Sequence, residues 1–244
     1  MKIFITDGSP EAFFTAVFDA FAEKECIVTS DENVQLAFDS QVIRTVYDEE
    51  KCERVRKGIA RYDKDAEDDV LFVLRSSDPL KEQIAFEYIK KLMKSKTAVK
   101  KMLSLPEVIE FNDILYKVTG EAHRLKGLLR FMESRDNVLY APYSPDNDIT
   151  DILMRHFASR LKNERFVIHD VKRKIAGMYN GHEWIMNYVG EAEVYLSEYE
   201  RAFENLWKKY YLAVNIEERP HEKQMKRSMP VRYWKFLPEK NQKT

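Results

Sequence analysis

Residues 121–148, EAHRLKGLLRFMESRDNVLYAPYSPDND, set the terms for the rest of the chain, because a helical pattern, a strand and a proline-rich turn follow one another there with little between them. Projected at ~100° per residue, Leu125, Leu128, Leu129, Phe131 and Met132 share one side of a helix running from His123 to Arg135, a core face. His123, Lys126 and Arg130 share the other side, with Gly127 and Ser134 between them. A glycine inside a helix costs roughly 0.5–1 kcal/mol relative to alanine. Either another backbone, protein or nucleic acid, comes close at Gly127, or the arc is an ordinary solvated face that tolerates a glycine.

The 244 residues suffice for one domain or two, and 44% apolar with 33% charged residues is the mix of a soluble globular protein. A net charge of −1 conceals segregation. Residues 1–70 hold 9 Lys/Arg against 17 Asp/Glu, whereas residues 219–244 hold eight basic residues against Glu222 and Glu239. A basic end behind an acidic front points to an anionic partner for the C-terminal part, or to docking between the two parts. Cys26 and Cys52 are the only cysteines. They exclude a disulfide framework, a zinc site of clustered thiolates and an iron–sulfur cluster, and they suit a reducing cytoplasm. No apolar run approaches the roughly 18 residues of a membrane span. The first residues lead into an amphipathic pattern instead of a signal peptide, so a cytoplasmic protein with no membrane partner is expected.

Residues 1–7 read as a short strand. Ser9 is a helix N-cap with Pro10 at the first position and Glu11 in the first turn, and Phe13, Phe14, Val17, Phe18 and Phe21 form the core face. Residues 26–29 suit a second strand, and 48–60 and the short apolar run 70–74 suit helices. Asp78-Pro79 caps and opens a helix to about Lys96, with Ile84, Phe86, Tyr88, Ile89 and Leu92 as its apolar set. Helical periodicity resumes at Pro106, and Gly120 is the residue that would interrupt it. Residues 1–118 thus form a mostly helical region without visible chemistry.

Residues 119–244 are read as an α+β domain. Residues 137–143 suit a strand closed by Ser144-Pro145, after which Asp146 or Asp148 caps a helix through Ile149, Ile152, Leu153, His156, Phe157 and Leu161. Residues 165–171 suit the next strand, Lys172-Arg173-Lys174 a basic connection, and Met178-Tyr179 the end of a further strand. Asn180-Gly181 predicts a type I′ hairpin returning through residues 182–188. The fold class expected is α+β, a mostly helical N-terminal region followed by helices packed on a small antiparallel sheet. Residues 193–215 are the clearest long helix. Leu196, Tyr199, Phe203, Leu206, Tyr210 and Ala213 recur at spacings of three and four, Trp207 and Tyr211 widen the stripe, and such a face reads as core. The ending MPVRYWKFLPE, bracketed by Pro230 and Pro238, is expected to be extended or irregular.

Neither a P-loop nor a dinucleotide glycine motif occurs, and no pair of histidines has metalloprotease spacing, so no metal or cofactor is called for. His169-Asp170 and His182-Glu183 fall on neighbouring expected strands. Adjacent strand residues point to opposite faces, so at most one of each pair joins a shared site. A hydrolase using His169 with Asp170 or Glu183 competes there with a structural histidine. Basic and aromatic residues give a broader signal, since nucleic acid needs Lys/Arg for phosphates and flat side chains or amides for register. Four segments supply cations: His123, Arg124, Lys126 and Arg130 around Gly127; Arg165 with Lys172, Arg173 and Lys174; Lys226-Arg227; and Arg232 with Lys235. Tyr233 or Trp234 beside them could stack an unpaired base for ~1–3 kcal/mol.

HRLKGLLRF, YAPYSPD, RFVIHDV with YNG, LWKKYYLAVNIEER and MPVRYWKFLPE, in this order, resemble a bacterial family known as a domain of unknown function, over about residues 119–244. The ending behind an LWxxYY helix is the specific part. In that family the domain is also fused behind uracil-DNA-glycosylase-like domains. A longer stand-alone form, which this chain resembles, is encoded beside a radical-SAM protein, and both forms are described as DNA modification, metabolism or repair proteins. The resemblance implies a DNA-linked role and a radical-SAM partner, and supplies no catalytic residue. Fused versions often read Pro-Asp-His where this chain has Pro145-Asp146-Asn147, so no role of that histidine transfers. The three-cysteine cluster of a radical-SAM enzyme is missing, so that chemistry would belong to the partner. The resulting expectation is an accessory protein that binds DNA and positions it for a radical-SAM or base-processing partner. A hydrolase acting on DNA and a pure protein-interaction subunit are the alternatives.

Overall fold

Helix α1 (Pro10–Ala20) starts where the sequence puts its cap. In the computed structural model, which describes residues 1–34, 40–190, 194–214 and 222–240, the Ser9 hydroxyl accepts from the Ala12 N–H at 3.2 Å. Phe13, Phe14 and Val17 turn inward, and Phe18 and Phe21 stay half-buried. The chain divides into two compact units, Met1–Thr119 and Gly120–Thr244.

In the first unit, α1 packs on a sheet of three parallel strands ordered β2 (Cys26–Thr29), β1 (Lys2–Ile5) and β3 (Gln41–Arg44), and on α2 (Glu49–Tyr62). Strand β3 was not expected. Three of its four residues are exposed, so backbone pairing to β1 holds it and no hydrophobic alternation marks it. Asp48 caps α2 by accepting from the Lys51 N–H at 3.0 Å. The ambiguous apolar run 70–74 belongs to α3 (Ala66–Leu74). Helix α4 (Lys81–Ser95) begins later than Asp78-Pro79 suggests: the Asp78 carboxylate accepts from the Leu80 N–H at 3.0 Å in a turn ahead of the helix, and Leu80 holds the cap position. Tyr88 of α4 stacks on Phe111 of α5 (Pro106–Leu128) at 3.8 Å, and α5 runs through Gly120 unbroken.

The second unit is built on a five-stranded sheet ordered β4 (Met132–Glu133), β5 (Leu139–Tyr143), β6 (Phe166–Asp170), β7 (Ile175–Tyr179) and β8 (Trp184–Tyr188). The molecule is α+β, as expected, but this sheet is mixed, because β5 and β6 run parallel and the other pairs antiparallel. The reason is α6 (Thr150–Arg160), which carries the chain back across the sheet between β5 and β6. The cap position itself falls on Ile149, one residue past Asp148, and the Ile149 side chain supplies no cap bond. Phe131, Phe157 and Phe166 form edge-to-face pairs beneath α6, with ring centroids 5.0 and 5.7 Å from Phe131. Gly177 of β7 is the close approach. A Cβ there would lie 2.4 Å from Cγ and Sδ of Met154.

Several boundaries depart from the sequence reading. Helix α5 stops at Leu128, so Arg130 and Phe131 leave it and Met132 enters β4. The β7–β8 turn is centred on Gly181 (φ +99°) and His182, with the Asn180 N–H bonded to the Glu183 carbonyl at 3.2 Å. Type I′ requires positive φ at both central residues, and neither Asn180 nor His182 has it. Of the helix expected over 193–215, both end residues lie outside the described residues. Helix α7 is Glu200–Ala213, and Leu196 forms a bridge with Ser134 instead. Helix α8 (Glu222–Ser228) precedes a 3-10 turn, Val231–Phe236, where an extended or irregular segment was expected. Among the described residues, no helix is long and apolar enough to cross a membrane.

Gly177→Ala should lower stability by about 1–3 kcal/mol through overpacking, read from urea unfolding. In a double-mutant cycle with Met154→Ala the two changes should be non-additive, because the truncation removes the obstructing atoms. Strictly additive losses would show that the strand absorbs the methyl group elsewhere.

Candidate functional site

Glu121 is 1% exposed on the last part of α5, beside Ala122 and Leu125 on its buried side. An anion there must be met by donors. Its Oε1 accepts from the Asp146 N–H at 2.9 Å and from the Tyr233 hydroxyl. Its Oε2 accepts from the Asn147 N–H at 2.9 Å and the Asn147 side-chain amide at 2.7 Å. Arg232 adds its charge at 3.5 Å. Burial pushes the Glu121 carboxyl up, but the bonds from Tyr233, Asp146 and Asn147 outweigh it and hold it below the usual carboxylate value. Burial and the neighbouring Glu121 charge push Tyr233 up, so the phenol stays protonated and donates.

Asp146 links this centre to the β6–β7 turn. Its carboxylate pairs with Arg232 at 2.9 Å, and its carbonyl accepts from Arg173. Arg173 also donates to the Pro145 carbonyl at 3.2 Å and pairs with Asp170 at 2.9 Å. Asp170, fully buried, further accepts from the Lys172 and Arg173 N–H groups at 3.0 and 3.1 Å. The end of α5, the 144–148 turn, the β6–β7 turn and the 3-10 turn are therefore one bonded assembly.

The assembly consumes part of the expected phosphate-binding set. Arg173 and Arg232 are paired as described. Arg130 lies outside the helix, donates to the Gly127 carbonyl at 2.9 Å, pairs with Glu239 at 2.7 Å and sits 4.9 Å from the Trp207 ring centroid. Tyr233 is buried and cannot stack on a base; Trp234 gives its indole N–H to the Met229 carbonyl at 2.9 Å. Lys235 is exposed beside Phe236, with Nζ 4.7 Å from its ring centroid. Lys226 of α8 pairs with Glu222. Arg165 is at the opposite end of β6 from Asp170, donating to the Asp136 carbonyl at 3.0 Å, and so stands apart. At Gly127 a Cβ would meet nothing within 4 Å, so no backbone among the described residues crowds it.

The hydrolase residues do not converge. His169 is buried with Nδ1 2.7 Å from the Tyr140 hydroxyl, whereas Asp170, the next residue on β6, is turned to the other face and committed to Arg173. Glu183 is exposed in the β7–β8 turn, next to the Tyr179–Trp184 pair that aligns with Phe166; Asp170 aligns with Ile175 at the far end of the strands. Four residues of strand separate those ends, roughly 13 Å at 3.3 Å per residue. Among the described residues no three His, Cys, Asp or Glu side chains are grouped as metal ligands.

What remains for an anion is a set of unpaired cations. His123, Lys126, Lys172 and Lys174 form no ion pair among the described residues, and the Arg124 guanidinium, half-buried, has an Nε without a partner. Helix α6 adds two residues that sequence reasoning missed. Burial lowers the His156 pKa below 6.5, and the positive charges of Lys126 and Arg160 lower it further. His156 was read as part of the apolar face because it falls between Leu153 and Phe157, and its ring does meet Phe157 edge-on at 5.0 Å. Its spacing of four from Arg160 was the available signal. Lys126 and Arg160 thus place positive charge near the His156 ring, and no carboxylate among the described residues forms an ion pair with either of them.

A family model described as a domain of unknown function, DUF4130, matches residues 79–239. The match begins earlier than residue 119, where the motif resemblance began, and so takes in α4 and all of α5. Nothing matches the chain among the curated proteins or among the solved structures.

Glu121→Ala leaves Arg232, Tyr233 and the Asp146 and Asn147 N–H groups without their acceptor, and should cost about 3–5 kcal/mol. Tyr233→Phe removes one donor and should cost about 1–3 kcal/mol. Chemical denaturation measures both. Equal, small losses would show that the carboxylate is reached by water.

Proposed function

We propose that this chain, which belongs to the domain-of-unknown-function family DUF4130, binds nucleic acid, DNA in the first place, as a cytoplasmic accessory protein of DNA repair or modification that holds its substrate for a radical-SAM or base-processing partner. The observation that carries the reading is the Lys126–His156–Arg160 cluster. Lys126 and Arg160, neither of them in an ion pair among the described residues, disfavour a charge on the His156 ring, and a phosphate backbone is the kind of ligand that offsets such a field. Lys172 and Lys174 extend the supply of unpaired cations on the turn beside the Glu121 assembly. The internally paired arginines have a different part in this reading: they hold the turns that present the lysines. The motifs that carried the resemblance supply the same elements, which supports a DNA-linked role without adding a catalytic one.

Affinity for a labelled oligonucleotide, duplex and single-stranded, should fall steeply with NaCl, since each phosphate neutralised contributes a log–log slope of about 0.9 for duplex and about 0.7 for single strands. Lys126→Gln/Arg160→Gln should reduce the slope by roughly 2 on duplex, and Arg165→Gln, at the far end of β6, should leave it nearly unchanged. An unaltered slope in the double variant, or no binding by wild type at low salt, would remove this face from consideration.

His156 gives an independent readout. Its folded pKa lies below 6.5, so the unfolded chain binds the extra proton. The His156 contribution to stability is therefore complete above 6.5 and is lost as pH falls through the depressed value. A bound phosphate favours the charged ring, so oligonucleotide should raise the His156 pKa and bind more tightly as pH falls. A ring-resonance NMR titration with and without oligonucleotide measures this, and an unshifted midpoint would count against phosphate contact.

A further inference from the structure

Helix α7 carries the longest apolar stripe of the second unit, and the stripe is not core. Phe203, Leu206 and Tyr210 are 59, 63 and 56% exposed, and no α7 residue is buried. With Trp207 they line a groove of about 1100 Å3 whose other side includes Phe131 and Leu161. Four carboxylates stand around it: Glu133, Glu164, Glu200 and Glu204. Glu204 pairs with Lys208 at 2.7 Å. Arg130, the cation of the lining, is neutralised by Glu239 at 2.7 Å. Glu133, Glu164 and Glu200 have no cationic partner among the described residues. The Glu200 carboxylate accepts from the Glu133 backbone N–H at 2.7 Å, and the Glu133 carboxylate accepts from the Ser197 hydroxyl at 3.2 Å.

We infer that this groove is the docking site for a cationic amphipathic helix of a protein partner. The α7 residues at spacings of three and four form the floor that such a helix covers with its own apolar stripe. The uncompensated carboxylates then meet the Lys or Arg residues that flank that stripe. Charge complementarity selects this occupant over nucleic acid, whose phosphates the same carboxylates repel. Burial of exposed aromatic surface supplies affinity, and the carboxylates supply the choice of partner. The groove uses none of the unpaired cations of the proposed nucleic-acid face, so either surface can fail without the other.

The test titrates the full chain with a tryptophan-free Leu/Lys amphipathic helical peptide and with a Leu/Glu peptide of identical apolar face, following tryptophan emission. Saturable binding of the Leu/Lys peptide alone is expected. Glu133→Gln/Glu164→Gln should weaken it about tenfold, Leu206→Asp should abolish it, and Lys126→Gln/Arg160→Gln should leave it unchanged. Leu206 is mostly exposed, so its variant should keep the wild-type circular dichroism spectrum, and the comparison of the two peptides on wild type needs no variant. Equal affinity for both peptides, or none for Leu/Lys, overturns the inference. So does self-association in sedimentation that Leu206→Asp abolishes, which would make a second copy the occupant, and so does loss of oligonucleotide binding in Leu206→Asp, which would give the groove to nucleic acid.

Discussion

A carboxylate with 1% exposure has to be met by donors wherever the chain can bring them, and Glu121 draws its donors from 25 to 112 residues away. That requirement organises the second unit. A turn that shifted by one residue would withdraw the Asp146 or Asn147 N–H, and a displaced C-terminal segment would withdraw Tyr233 and Arg232. Each alternative leaves a buried anion short of partners, at a cost of several kcal/mol. Such a network adds little net stability, because the donors give up water to make it. Its effect is selective: it excludes competing arrangements. Glu239 repeats the device, buried and bonded by Arg130 and by the Trp207 indole N–H at 2.9 Å, and its carboxyl is held down by those bonds against the upward push of burial. Two glutamates thereby tie the C-terminal segment to α5, the α5–β4 connection and α7.

The division between arginine and lysine follows from the same constraint. Arg130 and Arg173 each make several simultaneous bonds to carboxylates or carbonyls, and Arg232 donates to the Tyr233 hydroxyl while pairing with Asp146 and Glu121, which the planar, weakly hydrated guanidinium permits. Lys126, Lys172 and Lys174 form no ion pair among the described residues, as a strongly hydrated point charge favours. A count of positive residues along the sequence treats both kinds alike. In the folded unit these three arginines are engaged, whereas these three lysines, with Arg160, form no ion pair among the described residues.

Local signals were legible wherever the chain itself supplies the partner. Ser9 caps α1 and Asp48 caps α2 through bonds three residues long, and residues 26–29 pair as expected because their apolar content marks a buried strand. Legibility failed where the deciding partner is remote. Leu125, Leu128, Leu129, Phe131 and Met132 satisfy a helical projection, yet α5 ends at Leu128, where Arg130 bonds the Gly127 carbonyl and Glu239 claims the guanidinium. Strand β3 has no hydrophobic signature because pairing to β1 is its main support. The parallel pairing of β5 and β6 was implicit in the strand–helix–strand order, but the hairpin to β8 drew the reading toward an antiparallel sheet.

The site shows the same limit more sharply. Periodicity identified the α7 stripe correctly as one face of a helix, but periodicity records amphipathicity and not what lies against it. The assignment of that face to core rested on a frequency: most apolar faces are buried within their own domain. Charge decides otherwise here. Of the four carboxylates around the α7 face only Glu204 is paired, with Lys208, whereas Glu133, Glu164 and Glu200 have no cationic partner among the described residues and stand beside exposed aromatics. A net charge of −1, the balance of 40 basic and 41 acidic residues over the whole chain, reveals neither the carboxylates at the groove nor the lysines elsewhere in the unit. Because their signs differ, one polyanion cannot serve both surfaces. Under the two proposals the groove and the basic cluster take ligands of opposite charge, the arrangement an accessory protein needs if it is to stand between a nucleic acid and a second protein.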